Sequence, residues 1–290
     1  MLRTVTVILS LFYSATFFAQ DTTMTFLNDD WKKTKQEKAT YYKKSFIADG
    51  IWTAKFYPID GPLRMLGYYK SKRTKKGVGL FNYFYENATV EKEVEYKKGK
   101  IDGNFISWYE SGEKKATGHY VKNRLSGFWT TFYKNGNIDS EGNYVNKKKK
   151  GEWNFYFESG VRSAKENYVP GDENIVGTYW NEDGSLLETG ESHQENPRFK
   201  SPYESFEEYV AMKVIYPEPA KDEGIEGTVT VNFLVNRYGE VLESVVVEGH
   251  SLLRAEAINV VKSSPTWVPG KKQNRPVDMW LTVEVQFSRQ

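Results

Sequence analysis

The sequence predicts a mixed fold: an all-β sheet of repeated hairpins, then a small α+β domain with an antiparallel sheet and a helix. Three observations predict it. Aromatic residues are 16% of the chain against 39% for the whole hydrophobic class, so rings replace aliphatic side chains and strands are favoured over a Leu-rich bundle. Glycine and ring positions recur every 24 residues through the middle of the chain. Toward the C-terminus the rings thin out and valine alternates with polar residues.

Composition also bounds function. A charged fraction of 27% and a mean hydropathy of −0.64 exclude a multi-span membrane protein. A formal charge of +2 makes no electrostatic case for nucleic acid. The absence of cysteine removes disulfides, thiolate zinc sites and a thiol nucleophile. Three histidines leave little for metal catalysis. No cofactor, metal or catalytic residue is expected.

Residues 1–19 read as an export leader. Arg3 is their only charge, and 5–18 is an uncharged, mostly apolar run, shorter than the about 20 residues of a spanning helix. Ala19 suits cleavage and Phe17 at the −3 position does not, so an uncleaved anchor is the alternative. Residues 20–49 stand apart as an N-terminal segment.

Residues 50–190 carry the repeat. Gly79, Gly103, Gly127 and Gly151 are 24 apart, and Gly177 follows after 26. A ring stands two residues after each: Phe81, Phe105, Trp129, Trp153, Tyr179. Ring pairs follow at Phe84–Tyr85, Trp108–Tyr109, Phe132–Tyr133 and Tyr156–Phe157, and tyrosines at Tyr96, Tyr120, Tyr144 and Tyr168. The stretch from Gly50 is a degenerate first copy. Each unit reads as a hairpin, with Asn135-Gly136 predicting a type I′ turn and Ser111-Gly112 and Ser159-Gly160 in the same slot. Trp129, Thr131 and Tyr133 alternate onto one face, with Phe132 on the other. Most rings are expected to be core; exposed ones are candidates to bind carbohydrate or protein. Lys72-Arg73, Lys75-Lys76, Lys97-Lys98 and 147–150 fall at repeat junctions and read as solvated loop tips, with an anionic-surface stripe as the alternative. This pattern resembles the MORN repeat in the variant common in secreted bacterial proteins. The resemblance implies an interaction scaffold without catalytic motifs, with Trp108, Tyr109, Trp129, Phe132, Tyr133, Trp153, Tyr156 and Phe157 as its framework.

Residues 191–202 are polar, hold two prolines and read as a linker. Residues 203–290 form the second domain. Val229, Val231, Phe233 and Val235 alternate as a strand, Arg237-Tyr238-Gly239 turns, and 241–247 is a second strand. A short helical lead-in is expected near 218–223. Ser251 is expected to cap a helix carrying Leu253, Ala257, Val260 and Val261, which Pro265 ends. Leu281, Val283, Val285 and Phe287 alternate as the last strand. The run with Tyr216, Pro217, Gly227, Gly239, Trp267, Pro269 and Gly270 resembles the TonB C-terminal domain.

That resemblance implies a periplasmic binding domain that takes up the TonB box of outer-membrane transporters as an added strand. Carried onto this chain, the receiving edge is Met279, Trp280, Leu281, Thr282, Val283, Glu284, Val285, Gln286 and Phe287. Leu281, Val283, Val285 and Phe287 would serve the core, leaving the backbone and Trp280, Thr282, Glu284 and Gln286 for a partner. The expected partners are envelope proteins, among them TonB-dependent outer-membrane receptors. A homodimer through the last strand would hide the same edge. The expected role is therefore a non-enzymatic, exported periplasmic interaction protein. An anchored inner-membrane TonB-type transducer is the alternative, with membrane contact only if the leader stays. An enzyme acting on envelope polysaccharide is a third reading. No carboxylate pair stands out for it, and His119, His193 and His250 lie in separate segments.

Overall fold

The computed structural model describes residues 22–169, 171, 175–200, 202–203 and 205–288. The expected leader, residues 1–19, lies outside them. The chain divides into two compact units, Met1–Gly127 and Phe128–Gln290.

The first unit holds β1 (Thr23–Leu27), β2 (Tyr41–Ala48), β3 (Ile51–Pro58), β4 (Met65–Tyr69), β5 (Gly79–Phe84), β6 (Val90–Lys97), β7 (Lys100–Trp108), β8 (Lys114–Val121) and the start of β9 (Arg124–Phe132). From β1 to β8 each strand pairs antiparallel with the next. Residues 23–48 thus supply two strands to the sheet. Tyr42 lies opposite Tyr57 and stacks on it at 4.9 Å, a cross-strand pair that sets the β2–β3 register. Leu27, Ala54, Phe56, Tyr69 and Phe81 form a buried cluster. The second unit continues with β10 (Ile138–Val145), β11 (Lys148–Tyr156), β12 (Arg162–Tyr168) and β13 (Val176–Tyr179). Strand order follows sequence order from β1 to β13. This is the long antiparallel hairpin sheet that the sequence predicts.

The turns differ from expectation. At Asn135-Gly136 only Gly136 takes a positive φ, +88°. Gly136 N–H donates to Tyr133 O at 3.0 Å, and Tyr133 N–H to Asn137 O at 2.8 Å. This is a type I turn closed by a left-handed glycine, and the type I′ expectation is corrected: the loop is one residue longer, so it needs one positive φ and not two. Asn135 acts through its side chain instead, accepting from Asn137 N–H at 3.0 Å and donating to Glu158 O at 2.8 Å. The two-residue turns with paired positive φ sit at the repeat junctions, at Lys98-Gly99, Lys122-Asn123 and Asn146-Lys147. The lysines there are hairpin tips.

The phase glycines have a backbone reason. On the β10–β11 ladder Gly142 faces Trp153 and Asn143 faces Lys150, so Gly151 and Glu152 form a bulge, with Gly151 at φ +69°. The ring two residues later covers a glycine on the neighbouring strand: a Cβ on Gly142 would stand 2.3 Å from the Trp153 ring. Trp129, Tyr144, Trp153 and Tyr168 then form a ladder of edge-to-face contacts at 6.1, 4.9 and 6.5 Å.

The C-terminal α+β domain holds α1 (Phe206–Lys213), α2 (Glu218–Glu223), β14 (Gly227–Val235), β15 (Val241–Glu248), α3 (Ser251–Lys262), β16 (Gly270–Lys272), β17 (Arg275–Val277) and β18 (Met279–Phe287). Its three-stranded sheet has the order β15–β14–β18. Fully buried Val229, Val231, Phe233 and Val235 pack with Leu253, Ala257 and Val261 of α3. Helix α1 is absent from the sequence reading, although Ser205 and Glu208 write its start: Ser205 Oγ accepts from Glu208 N–H at 3.1 Å. The cap of α3 is His250 and not Ser251, its Nδ1 accepting from Leu252 N–H at 3.4 Å. The β16–β17 hairpin is likewise new. Residues 195–199 are held against this domain. Glu195 and Arg198 bridge to Lys271 and Val268, and Phe199 reaches Trp267 at 5.2 Å.

Candidate partner-binding edge

Strand β18 pairs with β14 along its whole length, from Val235↔Met279 to Gly227↔Phe287. Among the described residues, no strand lies on its other side. Met279, Val285 and Phe287 are buried and Leu281 and Val283 half-buried, while Trp280, Thr282, Glu284 and Gln286 are exposed. The alternation leaves one ladder of backbone donors and acceptors and one row of side chains outside the core. Thr282 Oγ1 donates to Asn232 Oδ1 at 2.8 Å, so that side chain reaches inward along the sheet. At the far end of β18 lies a cavity of about 830 Å³ lined by Met212, Val214, Tyr216, Lys221 and Phe287. Met212 and the neighbouring Ile215 are apolar side chains 66% and 69% exposed.

Residues 212–288 match the family model for the Gram-negative bacterial TonB protein C-terminal. The match begins inside α1, ends one residue past β18 and does not reach the repeats. None of the curated proteins compared with the chain matches it.

The motif residues of the TonB-like domain form its framework. Tyr216 hydroxyl donates to Ile225 O, and its ring meets Phe287 edge-on at 5.9 Å. Pro217 caps α2. Gly239 has φ +86°, and a Cβ there would stand 2.0 Å from Trp267 O, so both conformation and space require glycine. Trp267 is buried among Phe199, Phe206 and Phe233, and its indole N–H donates to Ser264 Oγ at 3.1 Å. A Cβ on Gly270 would meet Met279 Sδ at 2.5 Å and Pro197 at 2.8 Å, so Gly270 admits the 191–202 segment. Pro269 precedes it, half-buried, and Gly227 opens β14 opposite Phe287.

The repeat rings have a role that the sequence does not disclose. Trp129, Tyr133, Trp153 and Phe157 are buried; Trp108, Tyr109, Phe132 and Tyr156 are half-buried. Within the second unit the TonB-like domain seats two arginines on this face. Arg237 lies 4.9 Å from the Tyr133 ring centre and Arg275 5.4 Å from that of Phe155. Asp139 lies between them, 3.1 Å from Arg275 and 3.9 Å from Arg237. Burial alone would lower the Arg237 pKa, but Asp278 and Asp139 more than offset it and hold the guanidinium charged. Tyr238 hydroxyl donates to the Glu158 carboxylate at 3.0 Å. Asn274 Nδ2 donates to Trp180 O at 2.9 Å. Buried Glu166 accepts from Tyr168 at 2.5 Å, Tyr179 at 3.1 Å and Gln273 at 3.3 Å. Burial lowers the Lys149 pKa to about 8, although Glu166 pulls it up.

Among the described residues, no group of three His, Cys, Asp or Glu is placed to hold a metal ion. No described helix is long and apolar enough to cross a membrane.

Proposed function

We propose that the chain is a non-enzymatic interaction protein of the Gram-negative envelope, facing the periplasm, whose TonB-like domain takes up an extended partner segment along β18. The observation that carries this reading is the unpaired edge of β18 in a domain that matches the TonB C-terminal family. Backbone hydrogen bonds to β18 supply affinity. Trp280, Thr282, Glu284 and Gln286 select the partner, and the cavity by Tyr216 and Phe287 takes a side chain at the strand's end. TonB-dependent outer-membrane receptors are the partner class that the match favours. The repeats act as a MORN-like scaffold, and residues 1–19 as the export signal. Buried Glu166 and half-buried Asp139 are engaged in packing, which supports a binding role over catalysis.

The chain has no cysteine, so one introduced thiol is unique. Thr282→Cys and Glu284→Cys on β18, with Glu243→Cys on β15 as control, are crosslinked to TonB-box peptides bearing a cysteine at successive positions. Disulfides are expected on β18 alone, at every second peptide position. Equal crosslinking at position 243 overturns strand addition to β18. N-terminal sequencing of the mature protein separates the exported form, beginning at Gln20, from an anchored transducer retaining Met1.

A further inference from the structure

The place where the second unit holds its own Arg237–Tyr238 turn has a duplicate in the first unit. The turn is seated by the Tyr133 ring and the Glu158 carboxylate, with Asp139 3.9 Å from Arg237, whose nearer carboxylate is Asp278 of its own domain at 3.5 Å. Two repeats upstream, 48 residues earlier in each case, stand Tyr85, Glu91 and Glu110. The turn frames share their hydrogen bonds. Tyr133 hydroxyl donates to Tyr156 O at 2.6 Å, and Tyr85 hydroxyl to Trp108 O at 2.8 Å. Asn135 Nδ2 donates to Glu158 O at 2.8 Å, and Asn87 Nδ2 to Glu110 O at 3.3 Å. Gly136 N–H donates to Tyr133 O at 3.0 Å, and Ala88 N–H to Tyr85 O at 3.1 Å, with both residues at positive φ. The phase between them does not repeat the chemistry, since Lys115 stands at the acidic position.

Glu91 is the bulge residue of the β5–β6 ladder, where Tyr83 faces Lys92 and Phe84 faces Val90. A bulge re-aims its side chain, which keeps this acid with the rings. Burial raises the Tyr85 pKa, and the Glu91 and Glu110 carboxylates raise it further, so both charges bear on the phenol. Two differences narrow the ligand. Ser107 stands where Phe155 carries Arg275, so only the half that seats Arg237 and Tyr238 is duplicated. Lys92, 2.9 Å from Glu91, also lies 4.6 Å from the centre of the Tyr83 ring.

We propose that Tyr85, Glu91 and Glu110 form a second receptor for an arginine-bearing β-turn, filled by a partner protein presenting an Arg–Tyr turn like this chain's own. The guanidinium stacks on Tyr85 and takes the place of Lys92 on Glu91, and the following hydroxyl donates to Glu110. Charge and hydrogen-bonding complementarity come from the occupied copy.

The test uses the full chain and a cyclic peptide that closes Asn-Arg-Tyr-Gly-Glu as a turn, followed by calorimetry at low salt. One peptide is expected to bind per chain. Glu91→Gln combined with Glu110→Gln should weaken it about tenfold or more, the scale of losing charge-assisted hydrogen bonds. Citrulline in place of the peptide's arginine should do the same on the unaltered chain, which keeps the test independent of any variant's folding. Glu158→Gln should leave binding unchanged. Binding indifferent to citrulline or to the Glu91 and Glu110 changes overturns the proposal. So does binding lost in Glu158→Gln alone, which would place the peptide at the chain's own docking site. Failure to bind up to about millimolar peptide, the weak end of specific recognition, overturns it too.

Discussion

Gly151, on the 24-residue phase, and Gly142, whose counterparts one repeat away are Gly118 and Glu166, are glycine for different physical reasons. Gly151 stands at φ +69° with open space where a Cβ would go, so alanine there meets only backbone strain, about 1–2 kcal/mol. Gly142 has ordinary φ but lies under Trp153, so alanine must displace a buried ring. In urea unfolding, Gly142→Ala should lower the midpoint more than Gly151→Ala; the reverse order would show that conformation governs both. The 24-residue phase was legible because glycine and rings are visible in sequence. Which glycine serves a bulge and which a ring was not, because that depends on the partner strand. Lys149 is a residue-scale case that the sequence masks as one of four lysines. Its pKa falls from 10.5 to about 8, burial being the main cause and Arg275 adding to it, while Glu166 and Asp139 oppose it. Below pH 8 both states are protonated and the folded one carries the full penalty of a buried charge. Between about 8 and 10.5 the unfolded chain holds more protons, so stability rises with pH. The urea midpoint of the wild type should therefore gain between pH 7.5 and 9.5 relative to Lys149→Met, and parallel curves would refute this assignment.

Among elements, what the sequence showed best was what depends on alternation within one strand. The valines of β14 land inside as expected, Val285 and Phe287 of β18 with them and Leu281 and Val283 half-buried, and α2 occupies its expected range. Elements that depend on a distant partner were harder to see. Strands β1 and β2 lack the repeat's glycines and take their place because β3 offers an edge. The β16–β17 hairpin is three residues a side, too short for a periodic signal, and its turn uses Gln273 and Asn274 at positive φ in place of glycine. Helix α1 was legible in principle from Ser205 and Glu208, but its apolar face is completed by Phe199 and Trp267 from elsewhere. The candidate edge followed the same rule: alternation along β18 was readable, and its being an outer strand was a matter of topology.

In the second unit as a whole, the deciding feature is that the TonB-like domain rests on repeat rings through ion pairs shielded from water. The Arg275 side chain is only 7% exposed and that of Asp139 19%. Such a pair contributes modestly to stability but is costly to break from one side, because the remaining charge stays buried. Asp139→Ala strands Arg275 and should cost about 3–5 kcal/mol. Arg275→Met should cost less, since Asp139 keeps Arg237 at 3.9 Å and the Thr131 hydroxyl at 2.9 Å. The double variant should cost less than the two losses added, because the methionine stem can still cover Phe155 and no charge is left without its opposite. A double-mutant cycle from urea unfolding of the full chain measures this coupling. A coupling near zero would mean that the arginine holds the ring face by stacking alone, and that Asp139 serves Arg237 rather than the latch between hairpin and repeats.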